Sequence, residues 1–297
     1  MTISTRFSQT GKKLSVSLFA IIAALTIQAQ TGGQNIRLNK GQKLESQTTS
    51  TSNMSQNMMG QQVEFNSKST ITMLTEVKDV TNQAFQLSNT LKRMVMNTSV
   101  MGQEINFDSD KKEDMEGEVG MALKDKIGVS QDISVDKQGK ITSTSNDTAS
   151  TSKSQGGMMG MMGDAVQGAM VKGAPYPLFV AFPSKTPKQG DSWTDSSGTP
   201  ETMKMVNTYT VKQVSGSEAT LEISGLMAKT GTVEQQGMQM QMNLAGVTKG
   251  TSIVDLSTGV LKKNDTSMKI TGTMEIMGQS IPLSMDNTIQ TTVTKQQ

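Results

Sequence analysis

Methionine thioethers are the side chains whose number and spacing first suggest binding chemistry in this sequence. The 297 residues include 25 Met, no His and no Cys. Thioether sulfur is a soft ligand that suits Cu(I). It is also a flexible apolar group that repacks around partners of varied shape. The methionines therefore allow three roles: a Cu(I) or Ag(I) site, an adaptable apolar binding surface, or structural packing.

Two Met clusters have a regular spacing. Apolar residues between Met158 and Met170 recur at the interval of one helix face, which predicts an amphipathic helix docked on the sheet. Three further Met alternate around 240, as on one strand face. The apolar-ligand hypothesis assigns Met158, Met159, Met162, Val166, Met170 and Trp193 to the site. The metal alternative assigns Met158, Met161, Met162, Met238, Met240 and Met242.

Several catalytic chemistries are excluded by composition. Without Cys or His the chain cannot build thiolate or Ser-His catalysis or an imidazole metal site. One carboxylate cluster, around Glu113 and Glu116, predicts a solvated loop, because aromatic residues make up only 3% of the chain and a sugar platform needs more. The sequence therefore predicts a protein that is not an enzyme and uses no cofactor.

The first thirty residues have the features of a secretory signal peptide. Arg6, Lys12 and Lys13 precede an apolar run over 14–27, and Ala29 offers a cleavage edge. The run is shorter than the ~20 residues that span a bilayer. Its removal lowers the formal net charge from +2 to −1, which argues against nucleic-acid binding. We expect a periplasmic or secreted product without a transmembrane segment. Because the chain has no Cys, we also expect it to lack a lipid anchor.

Period-2 alternation predicts that most of the mature chain is β-strand. Residues 70–77 and 84–88, and likewise 206–214 and 219–224, have the pattern of hairpins. The motif Met-Gly-Gln-x-[Val/Ile]-x-[Phe/Leu] occurs three times and predicts further hairpin tips, because Gly supplies the positive φ of a tight turn. It begins at Met59, Met101 and Met277. The predicted fold is mainly β: a large curved antiparallel sheet of about ten strands, similar to a half-barrel.

Short self-similarities predict that the sheet consists of two related halves. Residues 40–46 resemble 188–194, and 128–136 resemble 246–255. The predicted domain organisation is a signal peptide at 1–29 and a single β-rich domain at 30–297. Within that domain we expect the following segments: a first half at about 36–143, a polar linker at 144–156, the Met-rich helix at 157–173 and a second half at about 178–297.

One motif resembles the signature of a known family. Phe182-Pro-Ser-Lys-Thr-Pro-Lys-Gln-Gly-Asp-Ser-Trp193 is similar to the FPxK…GDxW signature of secreted, β-rich bacterial proteins of unknown function. The resemblance implies a periplasmic or secreted β-rich protein, such as a Gram-negative bacterium exports, and implies no activity. At the level of the fold, the expected layout is similar to the lipoprotein-carrier half-barrels of the LolA and LppX type, which bind acyl chains.

These observations favour a non-enzymatic protein that buries an apolar small molecule or lipid in a curved sheet, with specificity set by shape rather than charge. The first alternative is a periplasmic Cu(I)- or Ag(I)-binding protein that uses Met thioethers. The second is a structural or envelope-assembly protein without a small ligand. The sequence does not indicate protein partners.

Overall fold

One continuous antiparallel sheet accounts for most of the described chain. The computed structural model describes residues 36–296, except 59–60, 101, 146–169, 171, 185, 199–202, 236–237 and 277. These residues belong to the unit Gly32–Gln297. The strands of the first half are β1 (Lys43–Met58), β2 (Gln61–Val80), β3 (Ala84–Val100), β4 (Gln103–Asp108), β5 (Ser130–Asp136) and β6 (Ile141–Thr144). Those of the second half are β7 (Ser192–Ser197), β8 (Lys204–Ser215), β9 (Glu218–Gln235), β10 (Met238–Asp255), β11 (Leu261–Ile276) and β12 (Gln279–Gln296).

The strand order confirms the predicted fold class. Along the sheet the order is β6-β5-β3-β2-β1-β12-β11-β10-β9-β8-β7, and β4 pairs with the far end of β3. Each half is thus a meander of neighbouring strands, and the two halves meet where β12 pairs with β1. The sheet has twelve strands rather than about ten, because the short β4, β6 and β7 carry weak sequence patterns. The predicted hairpins β2–β3 and β8–β9 are both present.

Alternation along the strands gives the sheet a buried face and an exposed face. In β12, for example, Ile281 and Leu283 are buried while the residues between and beside them are exposed. The same period of two runs through β9 and β10, as expected for a sheet that covers a core on one side only. We call the buried side the inner face.

Backbone hydrogen bonds at one end show that the sheet curves strongly. Ile36 N donates to Lys137 O in the β5–β6 turn, and Arg37 N donates to Thr258 O in the β10–β11 turn, both at 2.9 Å. Adjacent residues reach both turns, so the turns lie within about 10 Å of each other. Five strand steps separate β5 from β11, which is roughly 24 Å along a flat sheet. The sheet is therefore bent into a half-barrel at this closed end.

Two hydrophobic clusters fill the closed end. The first contains Ile36, Phe85 and Tyr176, and the second contains Phe182, Leu221 and Val254. The segment 174–182, between the two halves, supplies aromatic residues to both clusters. A salt bridge of 4.0 Å from Lys140, next to β6, to Asp195 on β7 links the two edges of the sheet.

Two short helices replace the solvated loop predicted around the acidic cluster. They are α1 (Lys112–Glu116) and α2 (Glu118–Leu123). The prediction of a loop was wrong because Met115, Val119 and Leu123 recur at a spacing of four and pack on β3. The carboxylates of Glu113, Glu116 and Glu118 remain exposed, as predicted. Neither described helix has the length and apolar character needed to cross a membrane.

The Met-rich helix predicted at 157–173 lies almost entirely outside the described residues. Met170, Lys172 and Gly173 are described, and none of them is helical. Met170 is half-buried and packs against the first cluster of the closed end. The docking of a helix on the sheet stays a prediction.

Candidate functional site

A row of mostly apolar side chains crosses seven neighbouring strands on the inner face. Each member lies directly opposite the next in the strand register, so all of them point to the same side of the sheet. The row contains Phe65, Met54, Met285, Ile270, Gly246, Met227 and Met205. Met227 and Ile270 are buried, whereas Met54, Met205 and Met285 are half-buried and accessible.

Two shorter rows extend this surface toward the hairpin tips. The second row contains Val63, Gln56, Leu283, Gly272, Leu244 and Lys229. The third contains Ile281, Met274, Met242 and Gly231. We call the three rows the Met band. Among their described members, Lys229 is the single ionisable side chain, so the surface is almost uncharged.

The Met band lies between the closed end and the tips of the long hairpins. Strand β1 begins at the closed end, so the β1–β2, β3–β4, β9–β10 and β11–β12 connections all lie at the opposite end. Gly102 and Gly278 have φ of 80° and 78°, which confirms two of the predicted tight turns. Met59, Met101 and Met277 are outside the described residues. The apolar residues that follow two of them, at 63, 65, 281 and 283, face inward as the motif predicts.

A polar row separates the Met band from the closed end. It contains Ser67, Ser52, Asn287, Met268, Thr248, Gly225 and Asn207. Ser50 Oγ donates to Asn287 Oδ1 at 3.0 Å, which satisfies that amide oxygen. Asn207 Oδ1 and Thr248 Oγ1 are buried without a partner on either side of Gly225. An apolar ligand on the Met band would meet these polar groups at its deeper end.

The described ligand-site residues of the sequence hypothesis lie in different clusters. Met170 packs on the first cluster of the closed end, and Trp193 packs on the second. The Trp193 ring lies 5.4 Å from Tyr209 and 5.5 Å from Phe182. Burial raises the pKa of Tyr209, and Asp195 raises it further, so this hydroxyl stays protonated at neutral pH. The other assigned residues, Met158, Met159, Met162 and Val166, lie outside the described chain.

Two of the metal-site residues, Met240 and Met242, share one strand face. Met240 and Met242 alternate on the inner face of β10, and Met242 lies directly opposite Met274 on β11. Met238 belongs to the same strand, whereas Met158, Met161 and Met162 lie outside the described residues. The described part of the chain holds no group of three carboxylates, His or Cys that could bind a metal ion. A metal site here would depend on thioethers.

Sequence reasoning did not identify the largest part of the Met band. Met54, Met205, Met227 and Met285 come from four different strands, so no local cluster marks them. The available signal is that each occupies an inward position of an alternating strand. Their juxtaposition depends on the register between β1 and β12, which are 220 residues or more apart in sequence. Local sequence patterns do not predict how two such distant strands pair.

A structure of lipovitellin shares the arrangement of strands at very low sequence identity. A structure of lipid–protein interactions in lipovitellin matches with a TM-score of 0.51 and 8% identity, over 88% of this chain and 26% of that chain. The chain thus spans about a quarter of that lipovitellin chain. An outer membrane channel from Pseudomonas putida F1 matches 89% of this chain and 99% of its own at 7% identity, with a TM-score of only 0.24. OccK5 from Pseudomonas aeruginosa matches 88% of this chain and 99% of its own at 8% identity, with a TM-score of 0.23.

Family assignment rests on the sequence. No curated protein matches this chain. The model of a family of unknown function, DUF6263, matches residues 82–261, which is more than half of the chain. This range includes β3 to β10, the segment that fills the closed end, and part of the Met band. The chain therefore belongs to DUF6263, a family of unknown function.

Proposed function

We propose that the mature chain is a non-enzymatic periplasmic or secreted protein that binds an apolar molecule, such as a lipid, on the Met band. The observation that carries this proposal is the continuous row from Phe65 to Met205, in which accessible methionines from separate strands lie side by side. Flexible thioether side chains adapt to partners of varied shape. A ligand that buries roughly 300 Å² of apolar surface would gain roughly 7 kcal/mol before the costs of association.

The likeness to lipovitellin supports the proposal at the level of the fold alone. That structure concerns lipid–protein interactions, and its strands superpose on most of this sheet. A curved sheet with one apolar face is suited to cover an acyl chain, because it removes apolar surface of both partners from water. The signal-peptide pattern at the N-terminus supports export.

Paired substitutions on the two faces of the sheet test the proposal. We expect the double variant Met54→Gln/Met285→Gln to bind the neutral apolar fluorophore N-phenylnaphthylamine at least about tenfold more weakly, because it places two amides on the Met band. The matched control is Leu226→Gln/Val247→Gln, a directly paired and exposed apolar couple on the outer face. The control should bind as the wild type does. Equal binding by the inner-face variant, or loss in the outer-face control, would contradict the assignment.

A Cu(I)- or Ag(I)-binding role is the second candidate, and one observation favours it. Met242 lies opposite Met274, where Cβ atoms are about 5 Å apart, and Met240 lies two residues along the same face. If these thioethers bind the ion, Met242→Leu/Met274→Leu should lose Cu(I) in competition with bicinchoninate. The exposed pair Met121→Leu/Met203→Leu serves as the control. Wild-type affinity in the first variant would remove the candidate. Failure of both binding tests would leave a structural or envelope-assembly role.

A further inference from the structure

A pocket in the first half of the sheet is separate from the Met band. It is shallow and open to solvent: the cavity itself is about 30 Å³, and the wider empty space of about 410 Å³ includes solvent at its mouth. Its walls include the apolar side chains of Leu91, Ile133 and Met170. Three polar side chains, Asn89, Lys126 and Gln131, also line it. The pocket therefore combines an apolar wall with a few polar groups, as ligand sites generally do.

Hydrogen bonds fix the orientation of the Asn89 amide. Asn89 is only 3% exposed, and its Oδ1 accepts from the Tyr176 hydroxyl at 2.8 Å. The Tyr176 oxygen lies 2.9 Å from Thr75 Oγ1, which donates to it because the tyrosine proton is already engaged. The carbonyl side of the amide is thus occupied. Its Nδ2 group brings two N–H donors to the pocket wall.

Lys126 supplies positive charge to the same pocket. This half-buried side chain lies in the turn after α2, and no described carboxylate forms a salt bridge with it. The amide donors of Asn89 and the ammonium of Lys126 both favour a ligand that accepts hydrogen bonds and carries negative charge. The apolar residues opposite them favour a hydrocarbon chain.

We propose that this pocket binds a monocarboxylate with a medium-length alkyl chain. The carboxylate would accept hydrogen bonds from Asn89 Nδ2 and Lys126 Nζ, and the chain would lie against Leu91, Ile133 and Met170. The site does not depend on the Met band, because their described lining residues do not overlap.

Calorimetric titration of the mature chain with octanoate tests the site. We expect saturable binding of octanoate and much weaker binding of octanol and octylammonium, which lack the negative charge. Lys126→Gln should weaken octanoate at least about fivefold, because one charge-assisted hydrogen bond is lost. Lys124→Gln, an exposed lysine two residues away, is the matched control and should bind octanoate normally. Equal affinity in wild type and Lys126→Gln, or no octanoate binding, would overturn the proposal.

A second variant tests the role of the amide. Asn89→Asp keeps an oxygen that can accept from Tyr176 but replaces the Nδ2 donor with a repelling carboxylate, so octanoate binding should be abolished. If this variant does not fold, Lys126→Gln alone decides the matter. The methyl resonances of Met73 and Met170, which line the pocket, should shift with octanoate while those of Met54 and Met285 do not. Shifts confined to Met54 and Met285 would refute the pocket and leave the Met band standing.

Discussion

At the residue scale, Tyr176 shows how one hydroxyl organises the closed end of the sheet. Its ring belongs to the first cluster and lies 4.8 Å from Phe179. Its hydroxyl joins Thr75 on β2 to Asn89 on β3, the two residues that lie opposite each other in the strand register. Both partners are buried polar residues and depend on this hydroxyl for a hydrogen bond. The sequence indicated neither contact, because Tyr176 is 101 residues from Thr75 and 87 residues from Asn89.

Tyr176→Phe should therefore lower the free energy of unfolding by about 1–3 kcal/mol, because Asn89 Oδ1 loses its donor inside the core. Chemical denaturation measures the change. Thr194→Val is a suitable control, because it too removes one hydroxyl that forms a hydrogen bond. That bond, with Thr208, lies in an exposed position. The control should change stability by less than about 0.5 kcal/mol. Equal effects of the two variants would show that the buried network contributes little.

Alkaline titration tests the same residue. Burial raises the pKa of Tyr176 to about 12 from 10.0, although the hydrogen bond from Thr75 lowers it somewhat. Between these values the unfolded chain has released the proton and the folded chain has not. Stability is therefore complete below pH 10 and falls as the pH rises toward 12, by at most about 1.4 kcal/mol per pH unit. In Tyr176→Phe, the free energy of unfolding should not show this part of the decline when chemical denaturation is followed from pH 9 to 12.

At the element scale, local chemistry predicted turns better than it predicted helices. Gly102 and Gly278 end strands as the repeated Met-Gly-Gln motif required, because both turns need positive φ. Helices α1 and α2 were missed, because they span only five and six residues and most of their side chains are charged or small. Packing of Met115 and Leu123 on β3 stabilises them, and this contact is visible only in the folded chain. The Met-rich helix at 157–173 stays a prediction.

Glycine inside the long strands permits close approach of neighbouring backbones. A Cβ on Gly272 would collide with the backbone oxygen of Asn243 on β10, whereas one on Gly246 would lie 3.0 Å or more from its nearest neighbours. We expect Gly272→Ala to cost about 1–3 kcal/mol of unfolding free energy and Gly246→Ala to cost less. Thermal unfolding of the two variants checks this. A more damaging substitution at Gly246 would show that the β10–β11 approach has been misassigned.

At the scale of the whole molecule, the curvature of the sheet brings the two halves together. Residues 36–37 join the β5–β6 turn to the β10–β11 turn, and 174–182 fill the space between them. The fold class followed from the alternation of the strands. The closure did not, because the pairing of β1 with β12 and the contacts of Ile36 connect segments that are distant in sequence. The predicted duplication is compatible with the two meanders and stays a prediction.

Ile36→Ala tests this closure. Ile36 is 2% exposed and lies against Gly139 and Gly259, one from each turn. Its truncation should cost about 2–5 kcal/mol, because the cavity opens where the two halves meet. Ile105→Ala is the matched control, since Ile105 on β4 is 39% exposed and should lose less than about 1 kcal/mol. Similar losses at both positions would mean that the contacts of Ile36 do not hold the halves together.

Paramagnetic broadening of methionine methyl resonances tests the central claim most directly. The chain would be labelled with carbon-13 at its methionine methyl groups and mixed with a neutral spin-labelled fatty ester. If the Met band binds apolar molecules, the probe should broaden Met54, Met205, Met242 and Met285, all half-buried on the inner face. Met121 and Met203, which are 58% and 45% exposed, should remain sharp. Broadening of these exposed methionines alone, or of no methionine, would contradict the account.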